Sequence, residues 1–277
     1  MTAHDDVLTP DPDLESPLAV AEAERRRATM SMVRAAIARR DVVLAFQPVV
    51  VAGAEARVAF HEGLIRVLDE AGRIIPARDF IPVVETDRAG RELDCLALEL
   101  GIAELRRERT LRLSINMSAR SIGYGPWLDT LDRAIAADPT LAERLILEIT
   151  ESSAMVLPDV VAAFMERYQR AGVAFALDDF GAGFTSFRYL RDFYFDILKI
   201  DGDFSVGVAS DPDNQVLYDA LISIGRHFDM LTVAEGVQTA EDAAYLVRAG
   251  VDCLQGYRFG VPVTVPPWRD ERRRASG

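Results

Sequence analysis

An α/β barrel that starts irregularly is the fold class this sequence predicts, on three observations. Eight short apolar runs recur along the 277 residues, at 42–50, 58–67, 111–116, 144–149, 173–179, 195–201, 230–236 and 251–257. Most intervals between them carry apolar residues at helical spacing, the alternation of a parallel sheet backed by helices. The first interval, VAGAEA, is too short for the dozen or so residues of a parallel crossover, so the first pair is predicted antiparallel. Together these give an irregular TIM (β/α)8 barrel with an antiparallel first strand. The competing open doubly wound sheet lacks a GxGxxG turn after its first run.

Taken in order, residues 1–17 are acidic and proline-rich and read as a disordered tail; they lack the basic-then-apolar pattern of a secretory signal, which points to the cytoplasm. Residues 18–40 read as a charged helix with a thin apolar stripe, Met30, Val33 and Ile37, able to pack on the domain or to mediate self-association. The barrel domain is expected over 41–266. Within it Val160, Val161, Phe164, Tyr168 and Ala171 share helical spacing, as do Val216, Leu217, Ala220, Leu221, Ile224 and Phe228. Asp211 before Pro212 marks a helix start, and Gly172 and Gly250 mark stops. Residues 267–277 form a basic tail expected to be solvated.

Composition excludes several roles. No apolar run approaches the ~20 residues of a membrane-spanning helix. A net charge of −13 opposes groove binding to DNA or RNA. Cys95 and Cys253 form no CxxC or zinc pattern and read as buried free thiols. The histidines His4, His61 and His227 are not spaced as a pair, against a zinc or triad site. His61 adjoins Glu62 and so faces the opposite side of its strand, a structural position.

Polar residues gather where the runs end. Gln47 and Glu62 lie in the first two, Asn116 closes the third, and Glu148 nearly closes the fourth. Asp178 and Asp179 close the fifth, while Lys199, Glu235 and Gln255 lie near the ends of the last three. Each alone is ordinarily a cap or a solvated loop residue. In a barrel they converge on the C-terminal mouth, where such folds keep their chemistry. Glu62, Glu148, Asp178, Asp179 and Glu235 would then crowd one cavity. Two unit charges about 4 Å apart repel by about 4 kcal/mol at an effective dielectric of about 20. One lysine and one arginine cannot offset the set, so protons or cations must. An oxygen-rich cluster without thiolates suits Mg2+ or Mn2+, and adjacent aspartates can reach two ions. Glu62, Leu64 and Arg66 sit at i, i+2, i+4 on one face of an extended strand, placing an arginine fork beside the acids. Gly181 and Gly183 make the loop after Asp179 pliable, though it lacks a P-loop lysine.

The motifs FQPVV, HEGLIRV, RDFIPVVE, INMSARS, LEITES, LDDFGAGFTSFRYL, DILKIDGDF, VAEGVQT and LQGYRFGVP, in that order over residues 42–263, resemble the signature of EAL-domain cyclic-di-GMP phosphodiesterases. The resemblance implies hydrolysis of one phosphodiester of cyclic di-GMP to linear pGpG, a cyclic-guanylate-specific phosphodiesterase activity, with two Mg2+ or Mn2+ ions. It implies Glu62, Asn116, Glu148 and Asp178 as ligands of one ion. Asp178 and Asp179 would hold the other, with Glu235 acting on it directly or through water. It casts Lys199 as orienting and polarising the attacking water, Gln255 as helping to hold it, and Gln47, Leu64 and Arg66 as substrate contacts. Glu151 would brace the loop after Asp179. A homodimer and a regulatory protein partner are also implied. Four features depart from the pattern: Gly63 replaces the alanine of Glu-Ala-Leu, FGAGFTSF replaces FGTGYSSL, DFYFD replaces LPVD, and VQT replaces VET. Gly63 is expected to face away from the ligand with little effect. The altered loop touches the segment thought to couple the metal site to dimerisation. The rival readings are a catalytically weak or inactive cyclic-di-GMP receptor acting through a protein partner, and an interaction protein working through the N-terminal helix. An enolase-type lyase is disfavoured because no lysine or histidine base recurs at other strand ends.

Overall fold

Strands β1 (Val42–Val51) and β2 (Val58–Leu68) run antiparallel, with Gln47 directly opposite Glu62. The computed structural model describes residues 16–53, 57–182 and 190–269. Residues 1–15 of the N-terminal segment, 270–277 of the basic tail, Gly183 and most of the altered loop lie outside the described residues.

The remaining long-range strands are β4 (Leu113–Asn116), β5 (Leu145–Thr150), β6 (Ala174–Phe180), β7 (Ile197–Ile200), β8 (Leu231–Ala234) and β9 (Cys253–Gln255). They run parallel to one another and to β2, and β1 closes the ring by pairing antiparallel with both β9 and β2. The short β3 (Ile74–Ile75) only extends β2 at its edge. The result is a closed eight-strand barrel with one inverted strand, as the short first interval requires.

Helices cover the outside. α2 (Ala77–Val84) and α3 (Arg88–Arg107) follow β3; α4 (Gly125–Ala137) follows β4; α5 (Glu151–Ala154) and α6 (Pro158–Gln169) follow β5. α7 (Gly202–Ser205) and α8 (Pro212–His227) follow β7, and α9 (Ala240–Ala249) follows β8. The starts and stops obey the residues that announced them. Asp211 accepts from the amides of Asp213 and Asn214 ahead of Pro212, and Gly250 ends α9 in the left-handed region at φ 90°. One expected face is rotated, and a second keeps Val161, Phe164 and Tyr168 buried but not Val160. On α8, Val216 and Leu217 are exposed while Tyr218, Leu221 and Ile222 are buried, and on α6 Val160 is exposed. Adjacent apolar pairs fit two helical stripes equally well, and only contact with the barrel chooses between them. Cys95 is half-buried rather than buried, because it sits at the edge of the α3 face near Thr130.

The amino-terminal helix α1 (Pro17–Arg39) packs with its second half alone. Val33 and Ala36 are buried with Val42, Val67, Phe80, Val84 and Leu93, joining α1 to α2, α3 and the ends of β1 and β2. No described helix is long and apolar enough to cross a membrane.

Candidate active site

Strand alternation builds the site two residues above an apolar floor. Val49, Phe60, Ile146, Ala176, Ile197, Val233 and Cys253 form a buried cluster of their own inside the barrel. Two positions nearer the mouth, before Val49 on the inverted β1 and after the floor residue elsewhere, stand Gln47, Glu62, Glu148, Asp178, Lys199 and Gln255 on the strands and Glu235 just past β8. Ser114 and Asn116 repeat the step on β4. The floor also accounts for Cys253, whose thiol is pushed up to about 11 by burial.

The polar layer is tightly joined. Lys199, with 1% of its side chain exposed, places Nζ 2.6 Å from Glu148, 2.8 Å from Asp178, 2.8 Å from Glu235 and 3.4 Å from Glu62. Asn116 donates to Glu62 Oε1 at 2.8 Å, and Gln255 Nε2 donates to Glu62 Oε2 at 2.6 Å and to Gln47 Oε1 at 3.4 Å. Gln47 Nε2 donates to the Gly260 carbonyl at 3.1 Å, tying β1 to the segment after β9.

One ammonium serving several acids perturbs all of them. Burial alone would depress Lys199, but Asp178, Glu148, Glu235 and Glu62 together hold it well above the usual lysine value. It therefore stays protonated and acts as a donor, not a base. Burial, then the neighbouring Glu62 charge, raise Glu148 well above the usual carboxylate range. Burial pushes Glu235 up to about 8 despite the lysine, and partial desolvation with the adjacent Asp178 charge pushes Asp179 up to about 6. Burial opposes ionisation of Glu62 too, yet Lys199 and the amides of Gln255 and Asn116 outweigh it and hold the group below the glutamate value.

Asp178 and Asp179 share the cavity through a break in β6. Neighbours on a regular strand face opposite sides. Here the pairing with β7 shifts register between Leu177 and Phe180, and Asp179 takes the left-handed φ of 54°. That bulge re-aims a side chain, a device found beside active sites. Asp178, Asp179 and Glu235 each bring an oxygen within 4.8 Å of the others. Glu148 Oε1 is buried without a hydrogen bond among the described residues, while Asp178 Oδ1 meets only the Lys199 ammonium, at 2.8 Å. A free buried carboxylate oxygen beside an acidic cluster fits a hard divalent cation.

The cavity around this layer holds about 720 Å³ and includes Gln47, Glu62, Leu64, Arg66, Asn116, Asp178, Asp179, Lys199, Glu235 and Gln255. Glu148 lies beneath it, reached through Lys199. Glu151 stands to the side, its Oε2 accepting from the Gly181 amide at 3.4 Å. Gly236 and Gly256 let the backbone close at the rim. A Cβ on Gly236, at φ 65°, would sit 2.9 Å from Gly202 Cα, and one on Gly256 would sit 2.0 Å from the Val237 carbonyl. Gln238, the middle residue of the departing VQT triplet, lines the same cavity.

Two features escaped sequence reasoning. Asp94 on α3 lines an apolar arm of the cavity with Val84, Leu93, Ala97 and Met117. Its Oδ2 accepts from the Ser118 amide at 2.9 Å and from Ser121 Oγ at 2.6 Å, and burial pushes it up to about 6. Tyr257, just past Gln255, lines the rim. An acid on a charged helix carries no distinguishing signal, whereas Tyr257 lies inside the LQGYRFGVP motif. Gly63 faces away from the ligand layer as expected, but its surroundings are occupied: a Cβ there would meet Ile115 Cδ1 at 2.7 Å. Ile115 fills the space an alanine would need.

An eight-strand barrel whose strand ends carry a hard-oxygen acidic cluster around one lysine defines the class of protein: an α/β barrel with a divalent-cation type of site. The chain belongs to the EAL domain family, whose pattern matches residues 30–262. It is 29% identical over 248 residues to the bifunctional diguanylate cyclase/cyclic di-GMP phosphodiesterase MucR of Pseudomonas aeruginosa, covering 88% of this chain and 36% of that one. It is 34% identical over 248 residues to an uncharacterised signalling protein of Caulobacter vibrioides, covering 87% of this chain and 30% of the relative. The chain thus spans about a third of the length of these curated relatives. Among solved structures, the P. aeruginosa MucR phosphodiesterase in complex with c-di-GMP superposes with a TM-score of 0.78 at 29% identity, over 87% of this chain and 99% of that one.

Proposed function

We propose that this chain hydrolyses cyclic di-GMP to linear pGpG in bacterial second-messenger signalling, within the cytoplasm, through residues of the barrel spanning 41–266. The observation that carries the reading is the lysine-centred carboxylate cluster. Four acids, on β2, β5 and β6 and just past β8, meet Lys199, and the free Oε1 of Glu148 remains beside them.

Glu62, Asn116, Glu148 and Asp178 would hold one Mg2+ or Mn2+ ion, and Asp178 and Asp179 a second, assisted by Glu235. When bound, such ions supply Lewis acidity and charge neutralisation at the phosphate and lower the pKa of water. The chain's own groups do the rest. The Lys199 ammonium orients the attacking water and stabilises charge that builds on oxygen during in-line attack. Gln255, anchored on Glu62 and Gln47, restricts that water from the other side. Arg66 and the Leu64 side chain bind the substrate along the β2 edge of the cavity. Water oxygen joins phosphorus, the 3′-oxygen leaves with a proton, and the product carries a 5′-phosphate. Glu151 holds the backbone after Asp179 through Gly181. The apolar arm suits a purine base, with the free oxygen of Asp94 accepting from guanine N1–H and the exocyclic amine.

Incubating the purified chain with Mn2+ and cyclic di-GMP, with product separation by chromatography, tests this. Formation of pGpG is expected. Tight binding without pGpG over hours would replace the reading with a receptor acting through a protein partner. A homodimer would accompany either.

A further inference from the structure

The β1–β2 hairpin is covered from behind only by elements from elsewhere in the chain, with α1, α2 and α3 over the ends that hold Val42 and Val67. Every parallel strand of a barrel is followed by a helix that returns across its outer face, but a direct hairpin connection supplies none. Here the carboxyl-terminal segment fills the gap. Val263 pairs with Phe46 through both backbone bonds, at 2.8 and 3.1 Å. Pro266 is buried, and Trp268 then packs edge-on against Phe46 at 5.1 Å and His61 at 4.8 Å between ring centroids. Trp268 Nε1 donates to Glu104 Oε2 at 3.1 Å, and the same buried carboxylate pairs with Arg269 and Arg107. These strap residues lie beyond the segment that matches the family pattern.

The location is specific. Phe46 precedes Gln47, His61 precedes Glu62, and Gln47 stands opposite Glu62 across the hairpin. Because side chains alternate, the two rings held by Trp268 are the rear faces of the two residues that enter the polar layer. Glu62 there receives Asn116, Gln255 and Lys199. We propose that Trp268 is a positioning residue: clamped by Glu104, it sets from behind the placement of the Gln47–Glu62 pair, and with it the affinity of the site for divalent cations. The proposal rests on the metal-site reading above. It differs from a purely packing role, in which Trp268 adds stability and leaves the folded site unchanged.

The test uses the full chain, with Trp268→Ala and Trp268→Phe compared by Mn2+ titration calorimetry, cyclic-di-GMP hydrolysis and thermal melting. Binding and rates are measured well below the lowest melting temperature. Loss of groups that support metal ligands typically costs about 10–100-fold in affinity or activity. Trp268→Ala is therefore expected to bind Mn2+ about tenfold more weakly and to turn over about tenfold more slowly, with KM changed less than kcat. Trp268→Phe, which keeps a ring against Phe46 and His61, should recover most of both. Wild-type Mn2+ affinity and turnover in folded Trp268→Ala, whatever its melting temperature, would overturn the proposal. Should that variant fail to fold, Trp268→Leu keeps apolar bulk without the ring, and wild-type values there would overturn it equally. Mn2+ binding needs no turnover. A wild type that binds Mn2+ but makes no pGpG would thus defeat the phosphodiesterase reading alone, and one that binds no Mn2+ would defeat both.

Discussion

Replacing Lys199 with methionine should destabilise the metal-free protein sharply and the metal-loaded protein much less. Methionine keeps the stem and removes the only ammonium within reach of Glu62, Glu148, Asp178 and Glu235 among the described residues. Breaking a buried ion pair from one side costs about 3–5 kcal/mol, because the partner charge stays desolvated. At about 2–4 °C per kcal/mol for chains of roughly this size, the melting temperature in EDTA should fall by about 10 °C. The loss depends on pH in a definite direction. Glu235, at about 8, and Asp179, at about 6, sit above their unfolded values near 4, so the folded state binds the extra protons between those limits. Their contribution to stability is lost as pH rises through that window, and the Lys199→Met deficit should be larger at pH 8 than at pH 5.5. Without the competing ammonium the acids should bind a cation more tightly, and a ligand at 100 times its dissociation constant adds about 2.7 kcal/mol per site, so saturating Mn2+ should stabilise the variant more than the wild type and narrow the gap. Scanning fluorimetry in EDTA and in Mn2+ at both pH values reads all of this. A variant melting within about 2 °C of the wild type in EDTA at pH 8 would show that the lysine does not hold the cluster together.

Glu62→Ala and Asp178→Asn should each lower pGpG formation by more than about 10³-fold, since each removes charge held at the transition state, while cyclic-di-GMP binding weakens less; near-normal turnover would refute their assignment as metal ligands. Asp179→Gly should raise the melting temperature of the metal-free protein by relieving a left-handed φ and one anionic neighbour, and should lose Mn2+ affinity in calorimetry; a fall in stability would refute the strain argument. Gly63→Ala should cost about 1–3 kcal/mol in denaturant melts through overpacking on Ile115, and pairing it with Ile115→Val should recover part of that. Additive losses in the double variant would show the two do not compete for space. Asp94→Asn should raise KM for cyclic di-GMP about tenfold or more with kcat little changed, as expected for a base contact remote from the phosphate; an unchanged KM would remove Asp94 from the binding site.

Much of the site was legible because a strand has a period of two and a barrel has one chemically active end. Polar residues closing apolar runs converge whatever the details of packing, and so Gln47, Glu62, Asn116, Glu148, Lys199, Glu235 and Gln255 could be named from their place in the pattern. Asp179 is the instructive case. The alternation that placed the others puts it on the wrong face, and only the register shift after Leu177 and its left-handed backbone turn it inward. Asp94 and Trp268 were illegible for a different reason. Their partners lie on other elements, Ser118 and Ser121 for the first, Phe46, His61 and Glu104 for the second, and no local pattern encodes a distant contact. The exposed Tyr194, 79% accessible between buried Phe193 and Phe195, belongs with them: sequence placed three aromatics together, and packing chose which one faces out.

By itself the chain's order of residues determined the alternation of strand and helix, the inverted first strand and the acidic character of one barrel end. Those follow from local periodicity and from the length of a connection. Tertiary structure decided which way Asp179 points, that a single lysine spans acids on three strands and just past a fourth, and that a tryptophan near the carboxyl terminus backs the Gln47–Glu62 pair. Each of these depends on distances between segments far apart in the chain, which only closure of the barrel brings into contact.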